Sequence, residues 1–548
     1  MGRRLTLVLL SAAMVGGAAR FAQSDSNYFS PGNLVVSRSV YDNNPNNVQA
    51  GITVLPPNCA VTSGACSPVV TAINDGTYPF VYNNDTVDAS FGITSKIVLD
   101  QITTAGSLIT SLEVPNSSQN GMPPGRDQMV TSFSSKSELA LNLSTDHNYL
   151  TFMGYVAPID ALDASNANTP AAVDSTNPVG ANVLRAIAQV DAKGQFHFSA
   201  TNAYSGNNGR AAILNNTQGA NFIYTAGNAG NGANPQPDGI IIGAGAQILS
   251  PQVKALVAQQ PGDPTPVGSF NITQLGKKAD KVGKDTNFRG LTIFNNVIYL
   301  TKGSGSNGVN TVYFIDTTGN ACPSGGVGIP ESGATLPTAG IPFDPTLLQT
   351  GGVTPYNMCI LKGFNTVLAK TTTNVFPFGV WFADANTLYV ADEGDGTNTN
   401  PTATSTNNGT YTAAASQTTA GLQKWIFNGT QWNPAYTLQT GLALGSPYTV
   451  TGYPTGLNAT TGLPWAPATD GLRNITGIVD GDGTATIYGI TSTVSGSGDQ
   501  GADPNKLVTI TDTLSAGGPT PPAGESFATV RAAGNLEVLR GVSFTPGS

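Results

Sequence analysis

Histidine is almost missing from this 548-residue sequence, which has two, His147 and His197. A serine triad needs an imidazole that takes and returns a proton. His147 falls in the tight turn Thr145-Asp-His-Asn148 and His197 in the strand-like Gln195-Phe-His-Phe, so both read as structural. With so few imidazoles, a zinc site would draw most of its ligands from carboxylates. Cysteine is scarce too, at four, with no Cys-x-x-Cys pair. The absence of a Gly-x-Ser-x-Gly elbow, a Walker loop and a His-Glu-x-x-His motif argues against the corresponding hydrolase, nucleotide and metalloprotease chemistries. Charge is thin: 10% of residues are charged, against about a quarter in average domains. The net charge of −9 leaves no broad basic surface for nucleic acid. No long segment repeats apolar residues at helical spacing, and no stretch beyond the N-terminal region is apolar enough to span a membrane as a helix.

What the chain has in quantity is turn residues, 65 Gly and 36 Pro with many Asn, Thr and Ser. Between them lies a repeated short strand: Asn33-Leu-Val-Val36, Asn148-Tyr-Leu-Thr151, Asn221-Phe-Ile-Tyr224, Asn296-Val-Ile-Tyr299, Asn386-Thr-Leu-Tyr389 and Ala485-Thr-Ile-Tyr488. The copies are roughly 70 to 115 residues apart, too far for a helical solenoid and suited to a four-stranded propeller blade with long loops. An apolar segment precedes each copy, often opened by arginine: Arg210-Ala-Ala-Ile-Leu, Arg289-Gly-Leu-Thr-Ile-Phe, Arg473-Asn-Ile-Thr-Gly-Ile and Arg540-Gly-Val-Ser-Phe. Phe378-Gly-Val-Trp-Phe and Ser137-Glu-Leu-Ala-Leu are variants, and a third strand follows, as in Lys96-Ile-Val-Leu and Lys506-Leu-Val-Thr-Ile. The expected fold class is therefore all-β, a six-bladed β-propeller, with seven blades as the alternative because 42–93 and 230–285 have room for further strands. Arg540 opens a first strand with no second strand after it, and Asn33 opens a second strand with no first. Pairing these N- and C-terminal strands would close the ring and remove two exposed sheet edges.

Residues 1–22 read as a secretory signal peptide, with Arg3 and Arg4 before the apolar Leu5 to Leu10 and a small-residue stretch. Residues 23–548 are expected to form one propeller domain, secreted to an extracellular or periplasmic location and monomeric. Four cysteines suit that oxidising destination, and by sequence distance Cys59–Cys66 and Cys322–Cys359 are the least strained disulfides.

The first strand of a propeller blade lines the central channel, so the residues that begin it gather around one channel mouth. Arg210, Arg289, Arg473 and Arg540 hold that position, and guanidinium groups suit bidentate contact with carboxylate, sulfate or phosphate. An alternative role is structural, with each arginine tied to a neighbouring blade's carboxylate, such as Glu138, or to strand-end carbonyls. The long second-to-third-strand loops, such as 393–420 and 492–504, should reach the same face, leaving the opposite face plainer. The acidic run Ala391-Asp-Glu-Gly-Asp-Gly396 offers Asp392, Glu393 and Asp395 as weak metal ligands; it lacks the closing glutamate of an EF-hand loop, so Ca2+ is an option and no cofactor is required. Tyr204, in the loop before Arg210, is a candidate ligand contact or proton donor. The four recurring tyrosines Tyr224, Tyr299, Tyr389 and Tyr488 read as packing between blades, and Trp381 as core.

The stretches Ser137–Tyr155, Ala203–Arg210 and Gly379–Gly396 resemble a group of exported bacterial β-propeller proteins of unassigned activity. The resemblance implies fold and export and no site residues. Two functional readings follow. The first is a secreted binding protein that holds an acidic or polyhydroxylated glycan at the arginine-lined mouth. The second is a polysaccharide lyase or hydrolase on the same face, with Tyr204, Glu138 or Glu393 transferring the proton.

Overall fold

The computed structural model describes residues 28–54, 71–72, 92–117, 129–170, 183–201, 203–228, 245–249, 251, 269–270, 287–304, 308–322, 326–338, 358–369 and 375–548. The proposed signal peptide and Cys59 and Cys66 lie outside these residues.

Among the described residues the architecture is all-β. The chain begins with β1 (Leu34–Val40), β2 (Thr94–Ile102), β3 (Leu108–Glu113), β4 (Met129–Ser132), β5 (Asn142–Leu143), β6 (Tyr149–Val156), β7 (Arg185–Asp191) and β8 (Phe196–Thr201). Four sheets then follow in chain order. The first holds β9 (Gly209–Asn215), β10 (Phe222–Gly227), β11 (Ala246–Leu249) and β12 (Ser269–Phe270); the second β13 (Leu291–Phe294), β14 (Val297–Lys302), β15 (Thr311–Ile315), β16 (Val327–Gly328) and β17 (Met358–Leu361). The third holds β18 (Pro377–Asp384), β19 (Thr387–Asp392), β20 (Gly421–Phe427) and β21 (Trp432–Leu438); the fourth β22 (Ala468–Val479), β23 (Thr484–Val494), β24 (Lys506–Thr513) and β25 (Ala528–Ala532). The last strand, β26 (Glu537–Phe544), returns to pair antiparallel with β1, setting Val36 opposite Val542 and Val40 opposite Glu537.

The expected six or seven separate blades are not what the hydrogen bonding gives. Four sheets form blades of their own, and β26 with β1–β8 makes a single nine-stranded sheet. The cause is β4, which pairs with β2 at Thr94 and Ser132 and with β6 at Met129 and Val156, joining strands that the repeats assign to two blades. The repeated asparagine before the second strand has a local reason. Asn295 and Asn296 both take positive φ, 49° and 60°, as a two-residue turn between antiparallel strands requires.

Apolar clusters join each sheet to the next. Met153 and Ile187 pack on Ala212 and Leu214; Tyr224 and Ile248 join Leu291 and Phe314, which join Phe382; Tyr389 and Leu422 join Leu472 and Ile487. Ile490 and Leu507 then meet Leu34, Val36 and Val542, returning to the terminal pair. The first strands also touch one another, and the glycine after the arginine permits it. A Cβ on Gly290 would lie 2.1 Å from the Phe378 carbonyl oxygen, and one on Gly541 would lie 2.3 Å from that of Leu139. The arrangement is propeller-like, with the first strands around a central channel.

The recurring tyrosines pack between sheets as expected. Tyr299 lies 4.6 Å from Phe382 and Tyr488 lies 6.2 Å from Phe544, centroid to centroid, while the Tyr389 hydroxyl donates to Asp512. Cys322 and Cys359 are joined in a disulfide, as the spacing indicated.

Candidate functional site

The two ends of the channel differ in kind. At one end the arginines form a buried layer. Arg210, Arg289, Arg473 and Arg540 are 4–8% exposed. Glu393, which directly follows β19, takes Nε of Arg473 at 3.1 Å and lies 3.7 Å from Arg289. Burial opposes ionisation of Glu393, but Arg289 and Arg473 outweigh it and hold the carboxyl below its ordinary value. Arg210 donates to the Phe288 carbonyl at 2.9 Å and to the Asn287 side chain. Arg540 donates to Ser39 Oγ at 3.2 Å and to the carbonyls of Phe133 and Ser135. Burial pushes the guanidiniums of Arg210 and Arg540 down, that of Arg540 to about 9; Arg289 repels Arg210 and Arg473 repels Arg540, while Glu138 acts on both in the opposite sense.

The other candidates lie around this layer. Glu138 is buried and accepts from Thr131 Oγ1, from Ser132 N at 3.1 Å, from Asn208 Nδ2 at 3.3 Å and from the Tyr155 hydroxyl. Among the described residues no arginine lies within ion-pair distance of it, but its charge acts on Arg210 and Arg540 from longer range, as the sequence suggested. Tyr204 is buried with φ of +61°, its hydroxyl 2.8 Å from Thr225 Oγ1, and burial pushes its phenol up. Asp392 is buried and accepts from the amides of Phe376 and Gly394 at 2.8 and 3.0 Å, whereas Asp395 is exposed and accepts from Thr397 N. These carboxylates do not converge with Glu393 on one point. The described acidic and thiol groups close enough for a metal are Asp316, Cys322 and Cys359, and the disulfide accounts for the sulfur atoms there.

Burial raises Asp392, Asp470 and Asp503 each to about 7. The folded state therefore holds protons that the unfolded chain has released between about pH 4 and 7, so stability declines as pH rises through that window. Glu393, held low, is ionised in both states above about pH 5 and does not offset the slope. Thermal melts should thus give a lower melting temperature at pH 8 than at pH 5; a flat or rising profile would contradict these burials.

At the opposite end the channel opens into a cavity of about 1320 Å³. Its wall is built from the later residues of the first strands and the turns after them: Leu291 and Thr292, Val380 and Trp381, Ile475 and Thr476, Ser543 and Phe544. Asparagines 142, 295, 296 and 474 supply amides, and Asp480 and His147 are the acidic and imidazole groups among the lining residues. Among the described residues no lysine, arginine or glutamate lines it. Gly290 and Gly379 reach its wall one residue after Arg289 and Phe378, so the arginine layer lies just beneath the floor.

Trp381 is half-buried on this wall instead of in the core where sequence placed it. Its ring lies over Gly477, where a Cβ would come within 2.9 Å, and stacks on Tyr389 at 5.8 Å. His147, in its turn with φ of +62°, sits on the rim, with Nδ1 3.4 Å from the Ser548 main-chain oxygen. The outer tryptophans are occupied by packing: Trp425 stacks on Phe364 at 3.9 Å and Trp432 meets Phe382 at 5.8 Å. Sequence reasoning passed over this face because its contributors are ordinary Thr, Asn and Gly residues scattered over six hairpins.

No protein-family model matches the chain, and no curated protein matches it. Among solved structures, a polysaccharide lyase described as an ulvan lyase bound to -[GlcA(1-4)Rha3S]- is similar at 12% identity, with a TM-score of 0.27 over 81% of this chain and 88% of that chain. A second ulvan lyase structure is similar at 11% identity and a TM-score of 0.26 over the same shares. Likeness this slight carries no inference about chemistry. Among the described residues no helix is long and apolar enough to cross a membrane.

Proposed function

We propose that this protein is an exported glycan-binding protein that uses the central channel of a propeller, taking a polyhydroxylated glycan into the wide cavity above the arginine floor. The supporting observation is the chemistry of the wall. Neutral amides and hydroxyls from several hairpins face one space with a half-buried indole, and such groups satisfy sugar hydroxyls while the ring stacks on a pyranose face. Counting the nine-stranded sheet as two fused blades gives a six-bladed ring closed by β1 and β26, which would set these hairpins around one axis.

The geometry favours binding over the lyase or hydrolase reading. Tyr204, Glu138 and Glu393 are buried, with hydrogen-bonding partners inside the protein, and none lines the cavity. Among the described lining residues a ligand there meets Asp480, His147 and Tyr488 as titratable side chains, and Asp480 already accepts from Thr486 Oγ1 at 2.8 Å.

A glycan array with the wild-type protein and Trp381→Ala tests this reading. Retention of a glycan without cleavage is expected, with affinity reduced about tenfold or more in the variant, equivalent to about 1.4 kcal/mol or above. Absence of retention, or retention indifferent to Trp381, would remove the cavity as the site.

A further inference from the structure

The arginine layer is held unevenly by its carboxylates. Four guanidiniums are buried there and one carboxylate, Glu393, makes ion pairs with them, serving Arg289 and Arg473. Among the described residues Arg210 and Arg540 have no carboxylate within ion-pair distance; Glu393 and Glu138 act on Arg210, and Glu138 and Asp499 on Arg540, from longer range. Buried charge without a counter-charge is costly and is found paired in native proteins. Two donors also point to where an acceptor belongs. Nε of Arg210 and Nε of Arg289 are both buried without an acceptor. The two side chains are neighbours, since each guanidinium's partner belongs to one short chain of bonds. Arg210 donates to Asn287, Asn287 Nδ2 donates to Ser304 Oγ at 3.0 Å, and Arg289 donates to that same hydroxyl.

We propose that a small inorganic anion is bound in this layer between Arg210 and Arg289, as a resident counter-ion separate from the glycan cavity. Two guanidinium N–H groups without acceptors suit a halide or one edge of a tetrahedral oxyanion such as sulfate or phosphate. The anion would relieve the repulsion between the two arginines and give their two unpartnered N–H groups an acceptor. Binding to the folded state alone makes its effect on stability saturable.

The test is a melting series on the full chain, in a buffer of large organic anions, titrated with chloride, sulfate or phosphate at constant ionic strength. At least one anion should raise the melting temperature along a saturating curve, and Arg210→Gln should weaken the half-saturation point at least tenfold. The three arms distinguish halide from oxyanion. Equal responses to all anions, or a saturating response unchanged in Arg210→Gln, would overturn the proposal. Should that variant fail to fold, wild-type crystals soaked in bromide or selenate decide, through presence or absence of an anomalous peak between Arg210 and Arg289. Neither result bears on glycan retention, so this inference and the proposed function stand or fall separately.

Discussion

Replacing Lys424 with methionine is expected to cost about 3–5 kcal/mol, the range for removing one partner of a buried ion pair. Lys424 and Asp512 are both fully buried, with Nζ 2.8 Å from Oδ2, and they join β20 of one sheet to β24 of the next. The ammonium also donates to the carbonyls of Thr513 at 2.7 Å and Leu514 at 3.2 Å, while Asp512 accepts from the hydroxyls of Tyr389 and Tyr436. Methionine fills a similar volume and leaves the carboxylate with two phenols and no counter-charge. Asp512→Asn in the same background should cost less than its single-variant value, because the stranded charge is then removed. Urea denaturation measures both. A loss for Lys424→Met below about 1 kcal/mol, the value of an exposed pair, would mean that water reaches this site.

A chain ending at Leu536 is expected to aggregate instead of folding. It lacks β26, so the full length of β1 becomes an open edge beside β2, and unpaired edges of that length recruit other chains. The loss also removes Leu539 and Val542, which pack with Leu34, Val36, Ile490 and Leu507, and Val538, which packs with Tyr41, Ile93 and Phe133. Arg38, held by Asp100 at 2.8 Å and by Glu537, loses one of its two carboxylates. A milder form of the same experiment is Gly541→Val, which drives a side chain into the Leu139 carbonyl; it should destabilise by several kcal/mol, as overpacking of closely apposed backbone does. A truncated protein that stays monomeric with an unchanged melting temperature would show that the terminal pairing is dispensable.

The parts of the fold written in local patterns were legible in the sequence. Each of the six repeated second strands corresponds to an observed strand, because a turn residue followed by alternating β-branched and aromatic positions specifies a hairpin within a few residues. Arg210 and Arg289 fall at the start of β9 and just before β13, as the repeat indicated, whereas Arg473 and Arg540 lie inside β22 and β26. Features that depend on distant partners were not legible. Nothing in Met129-Val-Thr-Ser132 marks it as the strand that joins β2 to β6. Glu393 was seen as one of an acidic run, yet its neighbour Asp392 turns to backbone amides while Glu393 alone reaches the arginines. The long loops were expected to hold the open site, and the structure places the large cavity at the opposite, short-hairpin end. At the arginine end the described backbone packs closely: a Cβ on Gly501 would lie 1.9 Å from the Ser134 carbonyl oxygen.

Head and tail of the chain share one sheet, and a cysteine pair introduced at Val40 and Glu537 tests that most directly. These positions face each other at the end of the β1–β26 ladder, and opposed residues of antiparallel strands have Cα atoms about 4.5–5.5 Å apart, within reach of a disulfide. Under mild oxidation, peptide mapping of the V40C/E537C double variant should show the two introduced cysteines linked to each other in the folded protein, and no such link after oxidation in denaturant. Free thiols at both positions in the folded protein would contradict the pairing, and with it the proposed closed ring.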